Sequence, residues 1–229
     1  MSTLYIIATP IGNLEDITLR ALRVLGEVDL VLAEDTRVAK KLLSHYEIEK
    51  DIVRYDEHKH SAIEDMVIDS LREGSKIALI SDAGTPTISD PGYRLVRRVL
   101  DIKKELPDIS IESVPGPSSL TSALSLSGIS ADKFLFYGFM PHKKGKETIM
   151  KDIALSTITT VFFESPHRLM KTLEMMKKNI DWDRTISVVR EISKVYEDVV
   201  TGTIREVYEH FIAHPDEVRG EIVIVVEGI

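Results

Sequence analysis

The run Ile77-Ala78-Leu79-Ile80 has no polar alternation and passes directly into Ser81-Asp82-Ala83-Gly84-Thr85-Pro86. A strand so uniformly apolar belongs in the middle of a sheet covered on both faces. In the loop that follows, Gly84 lets a ligand approach bare backbone, Asp82 offers a carboxylate, and Pro86 and Pro91 stiffen the connection. Asp90-Pro91 reads as a cap and first turn of the next helix. The pattern predicts a ligand-cradling loop leaving a buried strand of an α/β enzyme, or else a turn whose prolines and glycine only shape the chain.

The same alternation extends along the sequence. Strands are expected at Leu4–Ala8, Val28–Ala33, Ile52–Tyr55, Lys76–Ser81 and Ile109–Val114. A second set is expected at Phe134–Phe139, Thr160–Phe163, Thr185–Arg190, Asp198–Thr201 and Glu221–Glu227. Helical spacing links Ile17, Ala21, Val24 and Leu25 behind a cap at Asp16. It also links Ile63, Val67 and Leu71, then Leu95, Val99 and Ile102, and places Pro166 in a first turn before Leu169, Leu173 and Met176. The first half reads β-α-β-α-β-α-β-α-β, the order of a mostly parallel, doubly wound sheet. The second half has more strand and shorter connections around Ser193–Gly202, which predicts a mixed sheet with hairpins. Val114-Pro115-Gly116-Pro117-Ser118 can continue neither helix nor strand. The expected division is therefore residues 1–115 and 116–229, each an α/β domain.

Composition narrows the chemistry. With no cysteine, thiolate catalysis, disulfides and cysteine-ligated metal are excluded, which fits a cytoplasmic protein. No apolar run reaches the roughly 20 residues of a membrane helix, and the start lacks a signal-peptide pattern. The net charge of −8 rules out binding nucleic acid through a diffuse basic surface, so any such contact needs a local patch.

Four punctuated loops follow expected strands: Ala8–Asn13, Ala33–Arg37, Ser81–Gly92 and Val114–Ser119. In open α/β sheets, ligands bind at this carboxyl edge. The first loop reads TPIGN, so GxGxxG is absent there; GxxxxGK[ST] and GxSxG are absent throughout. Asp56-Glu57-His58 and His60 gather ligand types, but without HExxH spacing they read as a solvated loop, and no metal is expected.

Eight motifs together carry a resemblance. They are LYIIATPIGNLEDIT at the start, LVLAEDTR at Leu30–Arg37, LISDAGTPTISDPG at Leu79–Gly92 and VPGPSSLTSAL at Val114–Leu124. The others are FLFYGFMPHKKGK at Phe134–Lys146, FFESPHRL at Phe162–Leu169, REISKVYEDVVTGT at Arg190–Thr203 and GEIVIVVEG at Gly220–Gly228. In this order, over almost the whole chain, they resemble the ribosomal RNA small subunit methyltransferase I family of the tetrapyrrole methylase-like superfamily. The resemblance implies a two-domain α/β homodimer with an interdomain cleft. It also implies S-adenosylmethionine as cofactor, and 2′-O-methylation of a cytidine in the decoding region of small-subunit (16S) ribosomal RNA, naked or in the assembled subunit.

Carried onto this chain, the resemblance assigns the cofactor to Asp82, Ala83, Gly84, Thr85, Ser118 and Ser119, and to Phe163, Glu164 and Arg190 in the second domain. One loop departs from the pattern. Where a YHEHN-like string is usual, this sequence has Tyr55-Asp56-Glu57-His58-Lys59, which leaves that loop without an assigned role. A ribose hydroxyl needs a base or a charge that lowers its pKa, and the candidates are Lys194, Glu191, Glu34 and Asp35. Lys194 could act neutral as a base or protonated as a stabiliser of alkoxide; alternatively Arg37, Arg190, Glu191 and Lys194 form only a structural ion network. The required basic patch is His142-Lys143-Lys144-Gly145-Lys146 with His167-Arg168, giving Lys143, Lys144, Lys146 and Arg168 as RNA contacts. Two rivals stand beside this reading: a methyltransferase acting on a tetrapyrrole or another small molecule, and a catalytically silent ribosome-binding protein.

Overall fold

A computed structural model describes residues 2–56, 60–90, 92–142 and 145–229. The chain divides into two compact units, Met1–Ser118 and Ser119–Ile229.

The first unit is built on β1 (Ser2–Ile7), β2 (Leu30–Ala33), β3 (Ile52–Arg54), β4 (Lys76–Ile80) and β5 (Ile109–Val114). These lie in the order β3-β2-β4-β1-β5, every pairing parallel. The apolar run in β4 explains its position beside β1. Ile77 and Leu79 enter one buried cluster with Val67, Leu71, Leu95 and Val99 from α3 (His60–Arg72) and α4 (Tyr93–Lys103). Ala78 and Ile80 enter another with Ala21, Leu25, Ala39 and Leu42 from α1 (Leu19–Glu27) and α2 (Thr36–His45). Both faces of the strand are thus covered, and each fully buried aliphatic side chain contributes about 1.5–3 kcal/mol.

Two helix starts differ from expectation. Thr18, rather than Asp16, caps α1 by accepting from the Ala21 N–H, because Leu14–Asp16 first make a 3-10 turn. Asp90 does cap a turn, accepting from Gly92 N at 2.7 Å, but α4 begins only at Tyr93; Pro91 lies outside the described residues.

The second unit runs α5 (Ser119–Ser127), β6 (Phe134–Phe139), α6 (Lys146–Leu155), β7 (Thr159–Glu164), α7 (Leu169–Asn179) and β8 (Thr185–Arg190). It ends with β9 (Asp198–Thr203), α8 (Ile204–Ala213) and β10 (Ile222–Val226). Its sheet order is β6-β7-β10-β8-β9, with β6 and β7 parallel and the remaining pairs antiparallel. This is the mixed sheet the short connections predict. Pro166 opens a 3-10 turn, Pro166–Arg168, that leads into α7. Phe162, Leu169, Leu173, Met176, Val188, Phe211 and Ile224 lie in one core cluster. β10, apolar at every position, is buried along its whole length between β7 and β8.

Candidate active site

In the first unit, the loops after β1 and β4 are joined at the carboxyl edge of the sheet. Thr9 N donates to Gly84 O at 2.9 Å, and Gly84 N returns the bond to Thr9 O at 3.0 Å. The Thr9 hydroxyl donates to Ser81 O, and the Ser81 hydroxyl to Gly84 O, both at 3.0 Å. Gly84 holds φ +81°, and a Cβ there would lie 3.4 Å from Ile11 Cγ2 and 3.8 Å from Pro117 O. Thr85 Oγ1 donates to Pro117 O at 3.2 Å, which ties in the loop after β5. Further along, Thr87 and Ser89 sit at φ 75° and 58°. Non-glycine residues held there cost on the order of 1–3 kcal/mol each and concentrate at ligand sites.

The loop after β2 is held to the same edge by a carboxylate: Asp82 Oδ1 accepts from Asp35 N at 3.0 Å. Asp35 caps α2 through the Arg37 N–H, and the Arg37 guanidinium beside it holds its carboxyl well below the usual range. Glu34, Asp35, Thr36, Arg37, Arg54 and Asp82 line a pocket of about 530 Å³. Asp82, Ala83 and Glu34 are exposed, Thr85 and Ser118 half-buried. Arg54, paired with Asp56 at 2.7 Å, joins this site although no motif singled it out. Thr9 and Ser81 are likewise structural members that motif reading passed over, although both lie in loops singled out by their prolines and glycines.

In the second unit, Phe163 is half-buried, its ring edge-on to Phe136 and Phe139 at centroid distances of 5.0 and 5.2 Å. Ser119 begins α5 and is half-buried. The side chains of the other assigned residues are committed elsewhere. The Glu164 carboxylate is fully buried and accepts from Lys146 Nζ at 3.1 Å, Arg168 Nη2 at 2.8 Å, Ser165 N at 2.8 Å and the Thr172 hydroxyl. The Glu164 side chain is thus committed within the fold. The same contacts correct two expected RNA contacts. Lys146 is buried, because its ammonium answers Glu164 and Thr172, and Arg168 spends its guanidinium on Glu164 and Met140 O. Lys143 and Lys144 lie outside the described residues.

The Arg190 side chain is likewise committed within the unit. It is buried and paired with Asp198 at 3.0 Å, so its guanidinium is not presented to a cofactor. Glu191, at φ 52°, accepts from Lys194 Nζ at 2.8 Å and Glu221 N at 3.0 Å, and Lys194 also reaches Glu221 at 3.0 Å. Partial burial works against both charges, yet the mutual hydrogen bonds prevail. The Glu191 carboxyl is held below its ordinary value and the Lys194 ammonium above its own. The geometry favours the protonated form of Lys194, with Glu191 held in an ion-paired clamp. Of the ion-network alternative, the Glu191–Lys194 pair is present, while Arg37 pairs with Asp35 and Arg190 with Asp198.

Residues 3–208 match the family model described as Tetrapyrrole (Corrin/Porphyrin) Methylases. The chain belongs to this family. Among curated tetrapyrrole methylase relatives, it is 42% identical to a Thermotoga maritima protein named Ribosomal RNA small subunit methyltransferase I, covering 100% of this chain and 99% of that one. A Haemophilus influenzae protein of the same name is 43% identical over 98% of this chain and 78% of its own. The crystal structure of a uroporphyrin-III-C-methyltransferase from Thermus thermophilus superposes with a TM-score of 0.64 at 21% identity, covering 98% of this chain and 94% of that one. That likeness establishes the tetrapyrrole methylase fold for both sheets. Within the described residues of this tetrapyrrole methylase, no helix is long and apolar enough to cross a membrane.

Proposed function

We propose that this protein transfers a methyl group from S-adenosylmethionine to the 2′-oxygen of a cytidine in the decoding region of small-subunit ribosomal RNA. The observation that carries the reading is the end-to-end likeness to relatives named for the small-subunit RNA, 42% identity over 100% of the chain. The Thr9–Gly84 edge supports the cofactor. Hydroxyls at Thr85 and Ser118 and one exposed carboxylate at Asp82 suit the ammonium and carboxylate of an amino-acid moiety. S-adenosylmethionine, when bound, supplies a methyl group activated by its sulfonium.

The chain must then align the acceptor hydroxyl and take its proton. With Lys194 and Glu191 committed to each other, Glu34 is the proposed proton acceptor. It is an exposed carboxylate on the pocket that Arg37 and Arg54 also line, where those guanidinium groups can hold RNA phosphates. The homodimer belongs to the same proposal and is read by light scattering of the purified chain.

The test incubates the protein with methyl-labelled S-adenosylmethionine and either undermethylated small ribosomal subunits, the same RNA stripped of protein, or a tetrapyrrole. Label recovered in 2′-O-methylcytidine is the expected result. Label in the tetrapyrrole, or transfer to no acceptor, overturns it. Glu34→Gln should lower kcat with little change in KM.

A further inference from the structure

At the end of α8 two imidazoles stand one helical turn apart, His210 and His214, and the 3-10 turn Pro215–Glu217 brings Glu217 back onto them. His210 Nε2 lies 2.7 Å from Glu217 Oε2, the two imidazole centroids are 4.6 Å apart, and one ligating atom from each of the three residues falls within 4.8 Å of the others. We infer that this cluster is a binding site for a divalent transition-metal ion of the zinc class, with water in the fourth position.

The donor chemistry selects that class. Two imidazole nitrogens and one carboxylate form a zinc donor set, whereas calcium and magnesium take oxygen ligands. His210 lies in the last turn of α8 and His214 caps that helix, its N–H bonded to the His210 carbonyl, and the two rings lie side by side. His214 Nδ1 is 3.0 Å from the His210 carbonyl oxygen, so this nitrogen carries the proton and Nε2 keeps its lone pair for an ion. Behind Glu217, the Arg190 guanidinium lies 3.8 Å from its Oε2 and is itself neutralised by Asp198 at 3.0 Å. Arg190 approaches the same oxygen that faces His210, but at 3.8 Å it lies outside hydrogen-bond range and leaves Oε2 to the ion.

Tetrahedral zinc with bonds near 2.0–2.1 Å needs donor atoms about 3.3 Å apart. The His210–Glu217 contact must open by a few tenths of an ångström, and His214 must swing inward. His214 is exposed and His210 and Glu217 are half-buried, so both adjustments are side-chain rotations that leave the core unmoved. An ion here would fasten the end of α8 to the following turn and, through Arg190, to β9. His210, His214 and Glu217 have no part in the methyl-transfer reading, and the site stands or falls apart from it.

The experiment titrates the untagged, chelator-treated full chain with Co²⁺, then Zn²⁺. One equivalent of Co²⁺ should give a tetrahedral d–d absorption that Zn²⁺ abolishes. His214→Ala, which alters an exposed side chain, should weaken Co²⁺ binding at least ten-fold with the circular dichroism unchanged, and Glu217→Gln should do the same as an independent check. A His58→Ala/His60→Ala double variant should bind as the parent does. Absence of binding, binding that survives both His214→Ala and Glu217→Gln, or binding lost only in the His58/His60 variant overturns the site.

Discussion

Thr9 and Gly84 exchange both backbone hydrogen bonds, at 2.9 and 3.0 Å, and so join the loops after two adjacent parallel strands. Gly84 achieves this at φ +81°, where an L-residue pays about 1–2 kcal/mol. Gly84→Ala is expected to lower the melting temperature by several degrees. It should also weaken S-adenosylhomocysteine binding by more than the loss of stability explains, because strain at that φ displaces the loop carrying Asp82 and Thr85. Calorimetric titration well below the melting point separates the two effects, and unchanged affinity would refute the cofactor assignment.

The Glu191–Lys194 pair should mark the pH dependence of stability at both ends. Glu191 is held below its ordinary 4.5, so its contribution is fully present above that value and is lost as pH falls through the lowered pKa. Lys194 is held above its ordinary 10.5, so its contribution persists below that value and is lost as pH rises through the raised pKa. The stability difference between the parent and Lys194→Met should therefore be flat across neutral pH and shrink at both extremes. Urea unfolding at a series of pH values checks this, and a difference that varies around neutrality would contradict it.

Gly220 bears on the same clamp from outside. A Cβ placed on it would lie within bonding range of Glu191 Oε1, at φ +79°. Gly220→Ala should destabilise the second unit by about 2–3 kcal/mol, the sum of backbone strain and overpacking. Adding Glu191→Ala should recover part of that loss. Strict additivity of the two changes would show that the contact is immaterial.

Lys146 and its sequence neighbours should separate cleanly. Lys146→Met leaves the buried Glu164 short of a charge partner and should cost about 3–5 kcal/mol in urea unfolding. Lys143→Ala/Lys144→Ala should leave stability unchanged, weaken RNA binding and flatten its salt dependence. A double variant that binds RNA as the parent does removes the basic-loop proposal.

Most of the fold was legible because its signals are local. The unalternated run in β4 announced a strand buried on both faces, and Val114–Ser118 announced a turn that neither helix nor strand could cross. The site was less legible because the same residue types serve two ends. A lysine beside glycine in HKKGK reads as solvated, yet Lys146 opens α6 facing Glu164, eighteen residues away in β7. Nothing in the spacing reveals that pairing. A charged residue ending a strand at a sheet edge can face a ligand or brace the fold, and the side chains of Arg190 and Glu164 do the second. Asp35, read as a candidate base, instead caps α2 and pairs with Arg37, which holds its proton affinity low.

The place of β10 sets an order of events during synthesis. This strand lies between β7 and β8, yet among the described strands it is translated after both of them and after β9. The first unit has all five of its strands once Val114 has emerged and can fold while the remainder is still being made. The second cannot: until Val226 has left the ribosome, β7 and β8 each present an unpaired edge and the core lacks its central strand. Chains arrested before Ile222 should yield a protease-resistant first unit and a digestible second one. The interval between those two moments is when an exposed apolar sheet most needs a chaperone.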